Sequence, residues 1–513
     1  AIDQKIALAS PPAGATYGAY SAGDNLFKKG DTITNRLDVL SELNFAYQGK
    51  YGFRVSAAAW YDNAYAGKNP TPSTNVPGRT TSYQNSQFTD YVERYYKGPS
   101  GEWLDAYVFG NFELSGTDLN VRLGRHAVVW GEGLFGSTHS IAFSQAPSDG
   151  RKGVSSPGAS AKETALPVNQ ISATAVLSPE VTLLAQYQFE WVANRVPEGG
   201  TYFAPADVVL WGPNVNRDTE FKRGEKGGYG LGLKWSPEWL DGTVGFYYRK
   251  FDDKNGWIAQ QTGLGSPNPF NTTAVWGKDI ELYGVSLSKS VLGVSVGAEV
   301  SYRKNDPLSS MATASAATAT VPGGAAAAAA GNFDGAVGNT WHAVLNGVQT
   351  YGSSPIYDSA SLAGEIAWEK LDKITRNPTL YKSMTAGFDC AAAATRRIRG
   401  CETDDDYFSV GLSYSANWLQ VYPGVDLSMP LFFSKNFTNA QSNGGGTKGF
   451  VTYKAGLTAT AWTKHIFDLS YTWFDQNVDR VSPNVGGNSL SGRIQGVPYS
   501  DKGFLAFTYQ TTF

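Results

Sequence analysis

The feature that most narrows what this chain can fold into is strict alternation of apolar and polar side chains, in runs of about ten residues. In the last run, Leu505, Phe507, Tyr509, Thr511 and Phe513 fall on one face, and Ala506, Thr508, Gln510 and Thr512 on the other. Val294, Val296, Ala298, Val300 and Tyr302 repeat the pattern, as do Phe408, Val410, Leu412 and Tyr414, and Leu183, Ala185, Tyr187, Phe189 and Trp191. A soluble sandwich also buries one face per strand, but it must protect its edges. Here the polar face is small and uncharged in many places, which suits side chains crowded inside a barrel. Aromatic groups at run ends, such as Phe246-Tyr247-Tyr248 and Tyr471-Thr472-Trp473-Phe474, suit the girdles of a membrane interface.

Composition removes the competing classes. With 42 Lys and Arg against 45 Asp and Glu, the net charge of −3 leaves no basic excess to neutralise phosphates, so no nucleic-acid partner is expected. No run approaches the ~18–20 apolar residues of a membrane helix, and the mean hydropathy is −0.28. Ala1-Ile2-Asp3-Gln4 show no basic segment followed by an apolar stretch, so the chain reads as mature, its secretion signal removed.

Connection lengths point the same way. Very short turns are expected at Gln48–Gly52, Ser115–Asp118, Ser178–Glu180, Ser236–Asp241, Ser290–Gly293, Asn417–Leu419 and Thr463–His465. Between them lie long polar connections at 65–100, 132–166, 194–226, 253–277, 305–339, 373–404, 435–447 and 479–501. Short turns at one end and long loops at the other is the asymmetry of an outer-membrane barrel. Parity requires a descending strand near Thr340–Gly352 and an ascending one before residue 33, for which Ile2–Ser10 is the candidate. The expected fold is all-β: one transmembrane antiparallel outer-membrane β-barrel over 1–513, with about eighteen strands.

Several stretches resemble a proteobacterial outer-membrane barrel family catalogued as a domain of unknown function. They are Leu104–Asn111, Val121–Arg125, Trp130-Gly131-Glu132, Leu166–Asn169, Gln188–Trp191 and Asp358–Glu365. Members of that family are often encoded beside a periplasmic lipoprotein-carrier-like protein and a resistance–nodulation–division-type permease. The resemblance therefore implies movement of lipids or other hydrophobic molecules across the envelope, with those two proteins as partners. The aromatic last residue resembles the signal read by the barrel assembly machinery, and outer-membrane lipids and lipopolysaccharide would surround the wall.

Reading strand faces inward gives a mixed-charge lumen. Asp105, Glu299 and Arg303 belong to it, with Arg122, Glu190 and Glu365 preferred as pathway residues because they fall in the family-like stretches. The alternative is a hydrogen-bonded ladder that only stiffens the wall. Arg125 would face lipid, which is costly, so a bulge near Gly124 or an interfacial position is expected. Phe203, Leu210 and Trp211, in the apolar run 201–216, suggest a hydrophobic port. The small apolar residues of loop 305–339 form either a flexible loop or a greasy mouth. Cys390 and Cys401 are the only cysteines and would pair as a loop disulfide in an oxidising exterior. Asp404-Asp405-Asp406 reads as a solvated turn rather than a calcium site. The histidines His126, His139, His342 and His465 are scattered, so no catalytic array, metal site or cofactor is expected.

The function this supports is an outer-membrane channel or transporter, not an enzyme, for hydrophobic or amphipathic small molecules, with lipids among the candidates. The alternative is a non-conducting barrel that docks a periplasmic lipoprotein or anchors an envelope-spanning complex.

Overall fold

Runs with period-2 alternation become strands, and the computed structural model joins seventeen of them in one antiparallel sheet. It describes residues 23–513 other than 24–25, 70–82, 84–86, 136, 156–163, 206–208, 213–223, 226, 262–270, 311–333, 379–380, 382–405, 477, 481–491, 495–498 and 501. The first strands are β1 (Arg36–Tyr47), β2 (Tyr51–Asp62), β3 (Ser100–Leu114), β4 (Thr117–His126), β5 (Val168–Ser178), β6 (Val181–Gln188), β7 (Tyr229–Trp235) and β8 (Gly242–Phe251). A hairpin, β9 (Gly256–Gln261) with β10 (Asn271–Trp276), stands apart from the sheet. The wall resumes with β11 (Ile280–Val291), β12 (Val294–Pro307), β13 (Val337–Tyr351), β14 (Ser359–Arg376), β15 (Asp406–Tyr422), β16 (Val425–Asn436), β17 (Val451–Ala461) and β18 (His465–Asp475). After a second small hairpin, β19 (Val478–Arg480) with β20 (Gly492–Ile494), the chain ends in β21 (Phe504–Thr511).

Each wall strand pairs with the next in the chain, the meander of an up-and-down transmembrane barrel. The descending strand expected near Thr340–Gly352 is β13. The short turns fall where expected, with one correction. Asn417–Leu419 is not a turn: β15 continues through it to Tyr422, with a register shift after Trp418. Trp418 Nε1 donates to the Ile356 carbonyl and Leu419 N–H to Asp358, so the neighbouring turn holds this stretch extended. The reversal comes at Pro423-Gly424, where Gly424 has φ +78°. Ile2–Ser10, the expected additional strand, lies outside the described residues. Among the described residues, β1 pairs with β2 and β21 with β18.

The two faces of the sheet differ as the alternation demands. On β12, Glu299, Ser301 and Arg303 are buried while Val300 is 49% exposed. Leu231, Val285, Leu345, Ile366, Leu412, Leu457, Leu469, Leu505 and Phe507 all stand exposed on the outer face. Leaving so much aliphatic surface in water forfeits about 25 cal/mol per Å². Hydrocarbon is the solvent that removes the penalty. No helix among the described residues is long and apolar enough to cross a membrane.

Depth-dependent stability follows. Val300→Arg, in mid-strand, is expected to cost about 2–4 kcal/mol in lipid-reconstituted unfolding, and Val294→Arg, at the turn end, about 0–1 kcal/mol. Equal costs at the two positions would contradict a lipid-facing outer wall.

Candidate functional site: a segment folded into the lumen

The chain between β4 and β5 does not stay at the rim. The described residues of 127–149 enter the barrel, where Trp130, Ile141 and Phe143 lie against the inner faces of β8 and β11 and backbone groups meet β12–β14. Irregular backbone placed there brings N–H and C=O groups that must find partners. The wall supplies them by charge. Glu299 on β12 accepts from the backbone N–H of Glu132, from Gly133 at 3.0 Å and from Ile141 at 2.7 Å. Glu365 on β14 accepts from Leu134 and Phe135. Guanidinium groups take the carbonyls: Arg303 donates to Thr138 (2.7 Å) and Ser140 (3.1 Å), and Arg249 to Ile141 (2.8 Å) and Phe143 (2.7 Å). Asn346 Nδ2 donates to the Glu132 carbonyl at 2.7 Å. Bonds to charged groups contribute about 1.5–3 kcal/mol each. Gly131 is obligatory, because at φ +89° a Cβ would stand 2.2 Å from Glu299 Oε1.

Apolar packing completes the seat. Trp130, Ile141 and Phe143 from the segment form a buried cluster with Tyr247 and Phe251 of β8 and Ile280 and Leu282 of β11. Toward the end of the segment, Gln145 bonds to Gln186, which bonds in turn to Gln170. Ser144 donates to Asp253 at 2.7 Å, and Lys254 Nζ donates to Gln188. Burial pushes the Asp253 carboxyl up to about 6. Burial, reinforced by Arg249, pulls the Lys254 ammonium down to about 7.

The opposite part of the lumen remains open. A cavity of about 290 Å³ is lined by Arg54, Asp105, Tyr107, Arg122, His126, Ala127, Val129 and Ala165. Arg54 is shared between Asp105 at 3.1 Å and Glu42 at 2.5 Å. Arg122 sits over the Tyr107 ring, 5.9 Å from its centroid, and forms no ion pair among the described residues.

The expected pathway residues therefore divide. Asp105 and Arg122 meet in the open cavity. Glu299, Arg303 and Glu365 do point inward, but they hold the inserted segment. Glu190 is a correction. β6 stops at Gln188, and the Glu190 carboxylate accepts from Asn169 N–H (2.8 Å) and pairs with Arg125 (3.7 Å), beside the outer face. Arg125 itself stays outward near the strand end. Gly124 takes φ +125°, yet the β3–β4 register runs through without a bulge. Arg249 reads inward from the strand alternation as well; Asn346, which also alternates inward, was not singled out from the sequence.

The residues expected to form a hydrophobic port are only partly covered. Phe203 packs edge-on against Tyr499 and Phe504, and its carbonyl accepts from the Tyr499 hydroxyl at 2.6 Å. Leu210 and Trp211 are half-buried beside buried Val209, whose carbonyl accepts from Gly199 and Gly212. Tyr202, from the same run, packs against the buried cluster of Leu26, Phe27, Tyr65 and Val92, which forms a lid. Cys390, Cys401, Asp404, Asp405 and residues 311–333 lie outside the described residues.

The chain belongs to a family of unknown function, DUF1302, whose model matches residues 3–513. None of the curated proteins matches it. Among solved structures, the chain is similar to a BenF-like porin from Pseudomonas fluorescens Pf-5, with 11% identity, a TM-score of 0.39, and coverage of 88% of this chain and 90% of that one. It is also similar to the outer membrane channel DcaP of Acinetobacter baumannii, with 10% identity, a TM-score of 0.36, and coverage of 86% and 85%. The corresponding figures for OccD3 of Pseudomonas aeruginosa are 11%, 0.35, 94% and 87%.

Two predictions follow from the seat and the lid. Replacing both Glu299 and Glu365 by Ala strands five backbone N–H groups, so segment 127–149 should become cleavable by added protease in folded barrels, whereas the wild type resists. In the lid, burial pushes Glu198 up to about 7 from 4.5, against bonds from Thr89 and Tyr83. Because the folded form holds its proton more tightly, the stability it contributes is full below about 4.5 and is lost as pH rises to about 7. Proteolysis of the lid should therefore accelerate between those pH values in the wild type, and a flat profile is expected for Glu198→Gln.

Proposed function

We propose that the chain is an outer-membrane channel that passes small amphipathic molecules between the inserted segment and the wall strands β2–β4. The observation that carries this reading is the open cavity. It presents Arg54, Arg122 and Asp105 beside Tyr107 and the apolar side chains of Ala127, Val129 and Ala165. Such a lining matches a solute with a charged group and an apolar body, and Arg122, which forms no ion pair among the described residues, selects an anionic group. A cavity of about 290 Å³ sits at the lower end of ligand-site volumes. It suits a small molecule rather than a two-chain lipid, which narrows the hydrophobic and lipid range that the family resemblance implied. A periplasmic lipoprotein and an inner-membrane permease are the proposed partners at the short-turn end.

Planar-bilayer recording tests the reading. The wild type should conduct with anion preference, and Arg122→Glu should reverse the sign of the zero-current potential. Arg122→Ala should weaken block by a small amphipathic carboxylate about tenfold, equivalent to ~1.4 kcal/mol. A folded barrel that never conducts, yet co-purifies with a periplasmic partner, would favour the docking alternative.

A further inference from the structure

Two histidines about two hundred residues apart meet end to end inside the barrel. His139 closes the short turn Ser137–His139 of the inserted segment, His342 is on β13 and Glu369 is on β14, and all three are buried. The Nδ1 atoms of the two rings are 3.2 Å apart, and Glu369 Oε2 is 3.8 Å from His139 Nδ1.

The outer nitrogens settle where the ring hydrogens sit. His139 Nε2 is 2.8 Å from the Gly445 carbonyl oxygen, which can only accept. His342 Nε2 is 2.8 Å from Thr340 Oγ1 and 3.4 Å from Asp306 Oδ2. Thr340 gives its own hydroxyl proton to Asp306, leaving a lone pair for the ring N–H. A neutral imidazole has one N–H, and in both rings it is committed outward. Two Nδ1 lone pairs therefore face each other across 3.2 Å, with a carboxylate alongside. Nothing in that arrangement is attractive until a cation joins it.

We propose that His139, His342 and Glu369 form a binding site for a divalent transition-metal ion of the zinc class, which clasps the inserted segment to β13 and β14. With metal–nitrogen bonds of about 2.0–2.1 Å, an N···N separation of 3.2 Å subtends roughly 100° at the ion, close to tetrahedral. Two imidazoles with one carboxylate is a donor set that zinc accepts. Metal-bound histidines characteristically donate their second N–H to a carbonyl or a carboxylate, as these two do toward Gly445 and the Thr340–Asp306 pair. Glu369 is oriented in its turn by Ser442, whose backbone N–H and hydroxyl both donate to Oε1 at 2.6 Å. Binding asks each ring to swing off the line between the nitrogens and Glu369 to close in by a fraction of an ångström. The ligands come from the segment and two wall strands, so the ion fixes how far the segment stands from the wall.

The test uses the full chain, purified in detergent, stripped with a chelator and titrated with Zn²⁺ or Co²⁺. One ion per chain is expected, with the visible d–d absorption of low-coordinate Co²⁺. His139→Gln and Glu369→Gln should abolish stoichiometric binding while the strand circular dichroism is kept. Asp306→Asn, one shell out, should weaken affinity about 10–100-fold. Failure of the wild type to bind, or unchanged binding by both ligand variants, overturns the site and leaves a proton shared by the two rings in its place. The readout is bound metal, so it stands or falls independently of conductance.

Discussion

The structure depends on one exchange: wall carboxylates accept backbone N–H groups, and wall guanidinium groups donate to backbone carbonyls, at a loop that has left water. Glu299 and Glu365 take five N–H groups, and Arg303 and Arg249 reach four carbonyls. Neither set would be tolerable alone. Buried charges without partners cost several kcal/mol, and so do unpaired peptide groups in a non-aqueous seat. Together they convert a polar lumen wall and an irregular segment into one satisfied network.

This arrangement inverts the usual plan of a folded protein. The outer surface is aliphatic because its solvent is hydrocarbon, while an ordinary apolar core lies inside the barrel, where Trp130, Ile141 and Phe143 meet Tyr247, Phe251, Ile280 and Leu282. The lumen is thereby divided. Along β8 and β11–β14 its charges are occupied by the segment, and along β2–β4 Arg54, Asp105 and Arg122 line free space.

Period-2 patterning is local, which is why strands, turns and the long connections could be read from the residues alone. The errors also have local causes. Asn417–Leu419 looks like a turn, but its backbone is recruited by Ile356 and Asp358. Glu190 continues an alternation that stops at Gln188, so its face could not be inferred from parity. Phe203 looked unsatisfied because its packing partners, Tyr499 and Phe504, lie distant in the chain. Glu299, Arg303 and Glu365 were legible as inward-facing; their task was not, since what they bind is backbone, which carries no sequence signature. The same limit hid the contact between His139 and His342, each unremarkable in its own run.

Dividing the lumen has a consequence for how such a barrel can vary. A substitution among the anchoring residues acts on backbone groups shared by several partners, so losing one acceptor leaves buried donors unpaired and the cost spreads through the seat. Among the described residues, Arg122 faces the open cavity and the Tyr107 ring. A substitution there changes the charge offered to a solute with little to disturb behind it. On the proposed channel reading, solute preference can therefore change along β2–β4 while β8 and β11–β14 keep the inserted segment fixed. That separation requires the segment to be held by the wall rather than by the solute, which is what the hydrogen bonds of Glu299, Glu365, Arg249 and Arg303 accomplish.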